Sequence, residues 1–258
     1  MFHYNTKIEK SSKSVVFIDS NLKDYQYLVN GVEDTEVIIL ESTKSGLEQI
    51  TTTLQKFAIN QESIDSVHIF SHGSPGNLQL GNICLNTQTI ASANQQLKQW
   101  KTALSQTANI LLYACNLAAG KGAEFVEKFS QIIGVNIAAS LDLTGNEAQG
   151  GNWDLSYRTG EITAKNPLNS EVLTAYSGVL ATITVTNNNE SGIGSLREAI
   201  ATAQPGDTIK FNPSLSNQTI TLTNQLEIPI GLDLTIDGTD ATNLTISGNN
   251  QTRIFHIK

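Results

Sequence analysis

SVHIFSHGSPG (residues 66–76) and ANILLYACNLAAG (residues 108–120) decide how this chain folds. Each runs apolar and then stops on a reactive side chain, His72 in the first and Cys115 in the second. An apolar run closed by small and turn-forming residues reads as a strand covered on both faces, the habit of parallel sheets in α/β proteins. Chemistry in such sheets gathers at the carboxyl ends of the strands. The intervening segment, with a helical stretch near residues 89–104, is long enough for a crossover that makes the two strands parallel. An imidazole and a thiol then share one rim, which points to nucleophilic catalysis.

Working outward, VVFID (15–19) reads as a first strand, with Ser20 or Asn21 as cap for a helix beginning near Leu22. VIIL (37–40) is a second strand. Leu47, Ile50, Leu54 and Phe57 recur at helical spacing between Ser45 and Phe57. Leu78, Leu80, Ile83 and Leu85 flank Gly81-Asn82 as a two-residue hairpin would. Beyond Cys115, Phe125, Val126, Phe129, Ile132 and Ile133 form one helix face closed by Gly134. VNIAAS supplies a fifth strand, and WDLSYRTGEITA one or two edge strands. These steps predict a doubly wound, mostly parallel α/β sheet over residues 14–160, behind an N-terminal extension at 1–13.

Residues 161–181 show no clear period and read as a linker. From 182 the pattern changes to short Thr- and Ile-rich strands, TITVT, DTIKF, TITLT, LDLTID, NLTIS and RIFHI, separated by Asn, Gly and Pro turns. This predicts the first coils of an all-β parallel β-helix over 182–258, the N-terminal part of something longer. Ser195 with Glu198 three residues on has the capping-box spacing, so a short helix there can close the end of the solenoid.

The net charge of −8 and a pI near 5.0 leave no basic stripe for nucleic acid. Two cysteines, Cys84 and Cys115, make no disulfide framework; Cys84 reads as a small hydrophobe of the hairpin, and a Cys84–Cys115 bridge would silence the thiol. No apolar h-region opens the chain and no run is long enough to span a membrane. The expectation is an extracellular or cell-surface protein exported by a non-Sec route, or a cytoplasmic one if it is not exported.

The strand ending His72-Gly73 and the strand ending Ala114-Cys115 resemble the signature of the caspase-like (clan CD) cysteine peptidases, which include caspases, legumains, gingipains, separases and CHAT-domain proteases. The wider set FIDS, HIFSHGSPGNLQLG, LLYACNLAAG, ASLDLTG and GNWDL is similar to the caspase-like domain at the N-termini of very large bacterial adhesin-like repeat proteins. The resemblance covers roughly residues 14–160. It implies an endopeptidase in which Cys115 is the nucleophile, His72 the acid and base, and the backbone amides of Gly73 and Cys115 the oxyanion hole. It also implies substrate binding through strand-end carboxylates, with Asp19 and Asp142, and Ser140 beside them, receiving a basic residue before the cut.

The substrate expected is a polypeptide, the nearest being the chain itself near Arg158 or Lys165. No cofactor is expected and no metal, since no His/Cys/Asp cluster has ligand spacing, although calcium dependence occurs in some relatives of that group. A helix following Cys115 would favour its thiolate. Two other readings compete: an inactive caspase-like scaffold serving assembly or export of an adhesin, and a carbohydrate-active β-helix. The second needs clustered carboxylates on a long groove, whereas Asp207, Asp233, Asp237 and Asp240 are scattered and Asp237-Gly238 reads as a turn. His3 and His256 fall outside the pattern, and Trp153 reads as packing.

Overall fold

The computed structural model describes residues 13–258 apart from 181, 193, 204–206 and 233, so the N-terminal extension, His3 and Asp233 lie outside the described residues. The first part alternates strands and helices: β1 (Ser14–Asp19), α1 (Tyr25–Asn30), β2 (Glu36–Leu40), α2 (Gly46–Ile59), β3 (Ile64–Phe70), a small antiparallel sheet of β4 (Gly73–Ser74), β5 (Asn77–Leu80) and β6 (Ile83–Asn86), then α3 (Ile90–Trp100), β7 (Leu104–Tyr113), α4 (Gly122–Ile133), β8 (Asn136–Ala139) and β9 (Tyr157–Arg158). The six-stranded central sheet has the order β2-β1-β3-β7-β8-β9. All pairs are parallel except the last, where β9 closes the edge antiparallel to β8. The order reverses at β1, so the carboxyl ends of β1 and β3 flank a switch point.

The strands are apolar on both sides because both sides are covered. Val15, Phe17, Val67, Ile69, Ile110 and Leu112 pack with α2, α3 and α4 on one face. Val16, Ile18, Phe70, Leu111 and Tyr113 pack on the other with Leu28 of α1. Each such side chain contributes roughly 1.5–3 kcal/mol of transfer free energy. Trp100 of α3 donates its indole N–H to Thr51 Oγ1 of α2 at 2.8 Å, which satisfies the polar edge of a fully buried ring. The Gly81-Asn82 turn joins β5 and β6 with Leu80 opposite Ile83.

The expected connection over 161–181 is packed instead of free. Helix α5 (Ser170–Ala175), capped by Asn169, lays Val172 on the second face together with Leu168, Tyr176 and Leu180, all buried. A string of irregular residues hid this, because the burying positions follow no single period.

The remaining strands are β10 (Thr182–Val185), β11 (Thr208–Phe211), β12 (Thr219–Thr221), β13 (Leu226–Ile228), β14 (Thr235–Asp237), β15 (Thr245–Ser247) and β16 (Phe255–Ile257), with α6 (Leu196–Thr202) after β10. From β11 onward strands three apart pair in parallel, β11 with β14, β12 with β15 and β13 with β16, while β10 pairs with β11. Isoleucines stack in register, Ile183 on Ile209 on Ile236 and Ile220 on Ile246. Ser195 accepts from Glu198 N, and Leu196, Ala199 and Ile200 of α6 join the apolar interior of the stack. No helix among the described residues is long and apolar enough to cross a membrane.

Candidate active site

Strand pairing brings His72 and Cys115 to one rim. Residues of β3 pair with residues of β7 at a constant offset, from Ser66 with Asn109 to Phe70 with Tyr113. His72 and Cys115 are the residues two further along each strand direction, and the Ser71 amide still donates to the Tyr113 carbonyl at 3.1 Å. The rings of Phe70 and Tyr113 stack at 4.2 Å and 2°, which fixes the spacing of the strand ends just below the site. Gly73 completes the approach: a Cβ there would lie 2.7 Å from Ala114 Cβ and 3.1 Å from the Cys115 carbonyl oxygen. Glycine is therefore required for the two segments to touch, besides exposing its own amide.

His72 is buried. Its Nε2 lies 3.2 Å from the Asn21 carbonyl oxygen. A carbonyl only accepts, so Nε2 carries the proton, and Nδ1 of the neutral ring is left as a bare base; that atom is buried without a hydrogen-bond partner. Burial pushes the imidazole pKa down, and the charge of Asp19 and the carbonyl of Asn21 work against that shift. Asn21, expected as a helix cap, has another task. Its amide N and Nδ2 both donate to Asp19 Oδ1 at 2.9 Å, and its Nδ2 reaches the Gly81 carbonyl. Helix α1 starts three residues later than expected, at Tyr25, because the preceding turn is used to orient the histidine.

Cys115 is free and buried. Its thiol donates to the Thr144 carbonyl at 3.5 Å, and its sulfur accepts the Thr144 N–H at 3.1 Å. Burial pushes the thiol pKa up to about 12, against the pull of the backbone amide of Thr144. The expected helix N-terminus behind the cysteine is not there. Asn116 at φ 54 and Gly120 at φ 53 turn the chain, and α4 begins only at Gly122, so its dipole does not act directly on the sulfur. Burial thus favours the uncharged form of both side chains.

The rim is filled by the chain itself. Residues 176–180 run antiparallel to residues 143–146: Asn146 N donates to Gly178 O at 2.8 Å, Leu180 N to Thr144 O at 2.8 Å, and Gly145 bridges Val179. The Gly73 amide donates to the Leu180 carbonyl at 3.3 Å. The Leu180 backbone also acts on both members of the dyad, favouring the charged imidazole on one side and the thiolate on the other.

The other expected residues have different roles. Asp19 is fully buried, with Oδ2 accepting from Gly81 N at 2.6 Å and Ser71 Oγ at 3.4 Å while Oδ1 holds Asn21. Both oxygens are committed to the scaffold, so Asp19 does not receive a substrate cation. Ser140 Oγ donates to the Asp142 carbonyl and accepts from its amide, a closed turn. Asp142 is exposed, and its carbonyl takes the Asn116 N–H beside Cys115. Arg158 lies in the β8–β9 ladder. Lys165 lines a pocket with Ser14, Asp65 and Ser66, at the amino ends of the strands and hence at the opposite end of the sheet from His72. The Lys165 region therefore does not face His72.

Cys84 is exposed on β6 instead of tucked into the hairpin. Trp153 packs against Phe70 and Tyr176 and donates to the Leu173 carbonyl. Among the described residues, no three His, Cys, Asp or Glu side chains are grouped to hold a metal. The roles of Asn21, Thr144 and Leu180 at this rim were not read from the sequence, because each acts here through backbone atoms.

Residues 15–180 match a family described as a domain of unknown function, DUF4347, and no curated protein or solved structure matches the chain. The match covers well over half of the chain, which belongs to that family.

Proposed function

We propose that the α/β part is a caspase-like cysteine peptidase with a His72/Cys115 dyad, joined to a parallel β-helix in an exported or cell-surface protein. One observation carries this reading: strand pairing brings His72 and Cys115 to one rim, where the Asn21 carbonyl fixes the proton on Nε2 of His72 and leaves Nδ1 without a partner, and where the Gly73 amide already binds a peptide carbonyl. In the reaction the Cys115 sulfur adds to a peptide carbonyl carbon while its proton passes to His72 Nδ1. The Gly73 amide stabilises the resulting oxyanion. Collapse expels the amine, which takes that proton, and leaves a thioester. Water, deprotonated by His72, then hydrolyses the thioester to a carboxylate and restores the thiol.

The inactive-scaffold reading also has an observation in its favour, since the thiol pKa is pushed up to about 12 and the rim is filled. A peptidyl acyloxymethyl ketone distinguishes the two. Folded, reduced wild type is expected to form a covalent adduct at Cys115, and His72→Ala to form it about 100-fold more slowly, in keeping with the usual worth of a positioned acid–base group. An absence of adduct in wild type favours the scaffold.

A further inference from the structure

We infer that the cavity between hairpin β5–β6 and strands β10–β11 is a binding site for a short neutral saccharide. The site is separate from the dyad and takes its ligand whether or not Cys115 is reactive.

The cavity measures about 750 Å³, inside the range of roughly 300–1,000 Å³ in which small ligands are held, and junctions between structural units are where such cavities collect. The small antiparallel sheet forms one wall with Ser74, Gln79 and the turn residue Asn82. The stacked part forms the other with Thr184 of β10 and Asn212 just beyond β11. Ile83, Ile183 and Pro213 supply apolar surface between these polar ends.

Charge narrows the ligand first. Lys210 and Asp240 are the charged side chains of the described lining, one of each sign, and Lys210 Nζ stands 3.6 Å from Asp240 and 3.6 Å from Asp237. An anion entering here meets two carboxylates, and a cation meets an ammonium that is itself only 8% exposed. A neutral ligand meets neither penalty. At 3.6 Å both carboxylates are long for a hydrogen bond, which leaves the ammonium with donors for a neutral oxygen.

Hydrogen bonding narrows it further. Gln79 gives Nε2 to the Gly81 carbonyl at 2.7 Å, Asn82 gives Nδ2 to the Thr43 carbonyl at 3.0 Å, and Asn212 Oδ1 accepts from Ser214 N at 2.9 Å. Each carboxamide is thus anchored by one end and presents the other. Among the described residues, Gln79 Oε1, Asn82 Oδ1 and Asn212 Nδ2 make no hydrogen bond, and neither do the hydroxyls of Ser74 and Thr184. Two fixed acceptors, a fixed donor and two hydroxyls around apolar surface complement a sugar ring, whose hydroxyls both donate and accept and whose C–H face covers aliphatic side chains. A peptide is held chiefly by main-chain bonds to a strand edge, whereas the groups left open here are side-chain ends. Sugar hydrolysis takes a pair of carboxyl groups flanking the bond, and Asp240 is the one carboxylate of the described lining, so the site binds without cutting.

Cys84 is exposed and belongs to the same lining, while Cys115 is buried, so a thiol reagent reports on this cavity. The reduced whole chain is treated with N-ethylmaleimide, alone and with cellobiose, maltose, lactose or diacetylchitobiose, and labelling at Cys84 is followed by mass spectrometry. At least one disaccharide at about 50 mM is expected to slow labelling about sixfold, the mass-action result for a Kd of about 10 mM. Glucosamine and glucuronate are expected to leave the rate unchanged. Thr184→Val and Asn82→Leu each remove one open end at an exposed position and are expected to raise that Kd about fivefold, the usual worth of one hydrogen bond. Their far-UV spectra are expected to match wild type. Labelling unaffected by every disaccharide, protection undiminished in both variants, or stronger protection by the charged sugars overturns the inference. Protection by an acetylated dipeptide amide and by none of the disaccharides gives the cavity to a peptide and overturns it equally.

Discussion

His68 and His72 point to the same face of the sheet, and their surroundings give them different uses. His68 Nε2 meets Ser66 Oγ at 3.0 Å, Ser66 Oγ meets Ser14 Oγ at 2.6 Å, and the ring stacks over Tyr113 at 6.2 Å. Burial lowers its pKa from 6.5 to about 4. The unfolded chain therefore binds a proton that the folded one refuses, so stability present above pH 6.5 is lost as pH falls toward 4. The shift corresponds to about 3 kcal/mol for His68 alone, and His72, lowered in the same direction, steepens the slope. Urea unfolding at about pH 7 and about pH 4 is expected to show this loss, and His68→Gln to remove His68's share of it. A pH-independent midpoint in the wild type contradicts the assignment. That His72 and Cys115 share one rim was legible as a pair, because two apolar runs of matching pattern end on them. The Asn21 carbonyl, the Thr144 amide and the Leu180 carbonyl were not, because every residue carries those atoms and only the fold selects which ones meet.

Elements were readable where one period ran unbroken. Helices α2 and α4 follow their apolar spacing, with Ser45 capping the first and Gly134 at φ 78 closing the second. Reading failed where a polar residue had a tertiary partner stronger than its local one, as at Asn21, and where burial was scattered, as over residues 161–180. That last stretch holds the added strand, whose fit depends on Gly145. Gly145→Val puts a branched side chain at φ 129 against the Gly178 oxygen, a conformation that costs roughly 1–3 kcal/mol before any clash. Residues 176–180 are expected to leave the edge. Amide exchange at Gly178–Leu180 then rises while the buried amides of β3 and β7 stay protected. Unchanged exchange at Leu180 shows that the strand is held by something other than this edge.

At the scale of the whole molecule, the stacked part reaches back to the dyad. Asp207 disfavours the Cys115 thiolate and Lys210 disfavours the His72 imidazolium, so residues at the start of the stack act on both side chains. Lys210 is itself held by Asp237 and Asp240 at 3.6 Å each, and it lines a cavity of about 750 Å³ between hairpin β5–β6 and strands β10–β11. The rim is covered by residues 176–180, and the first coil stands close to it across this cavity. Ile209 is the central, fully buried member of the Ile183–Ile209–Ile236 stack, and Ile209→Ala is expected to weaken that part by about 2–5 kcal/mol. If the coil holds the cover down, Cys115, fully buried in wild type, becomes reactive toward a small thiol reagent at least about tenfold faster in this variant, while far-UV signals of the α/β part persist. Thiol reactivity equal to wild type means that the hydrogen bonds of residues 176–180 suffice alone to cover the thiol.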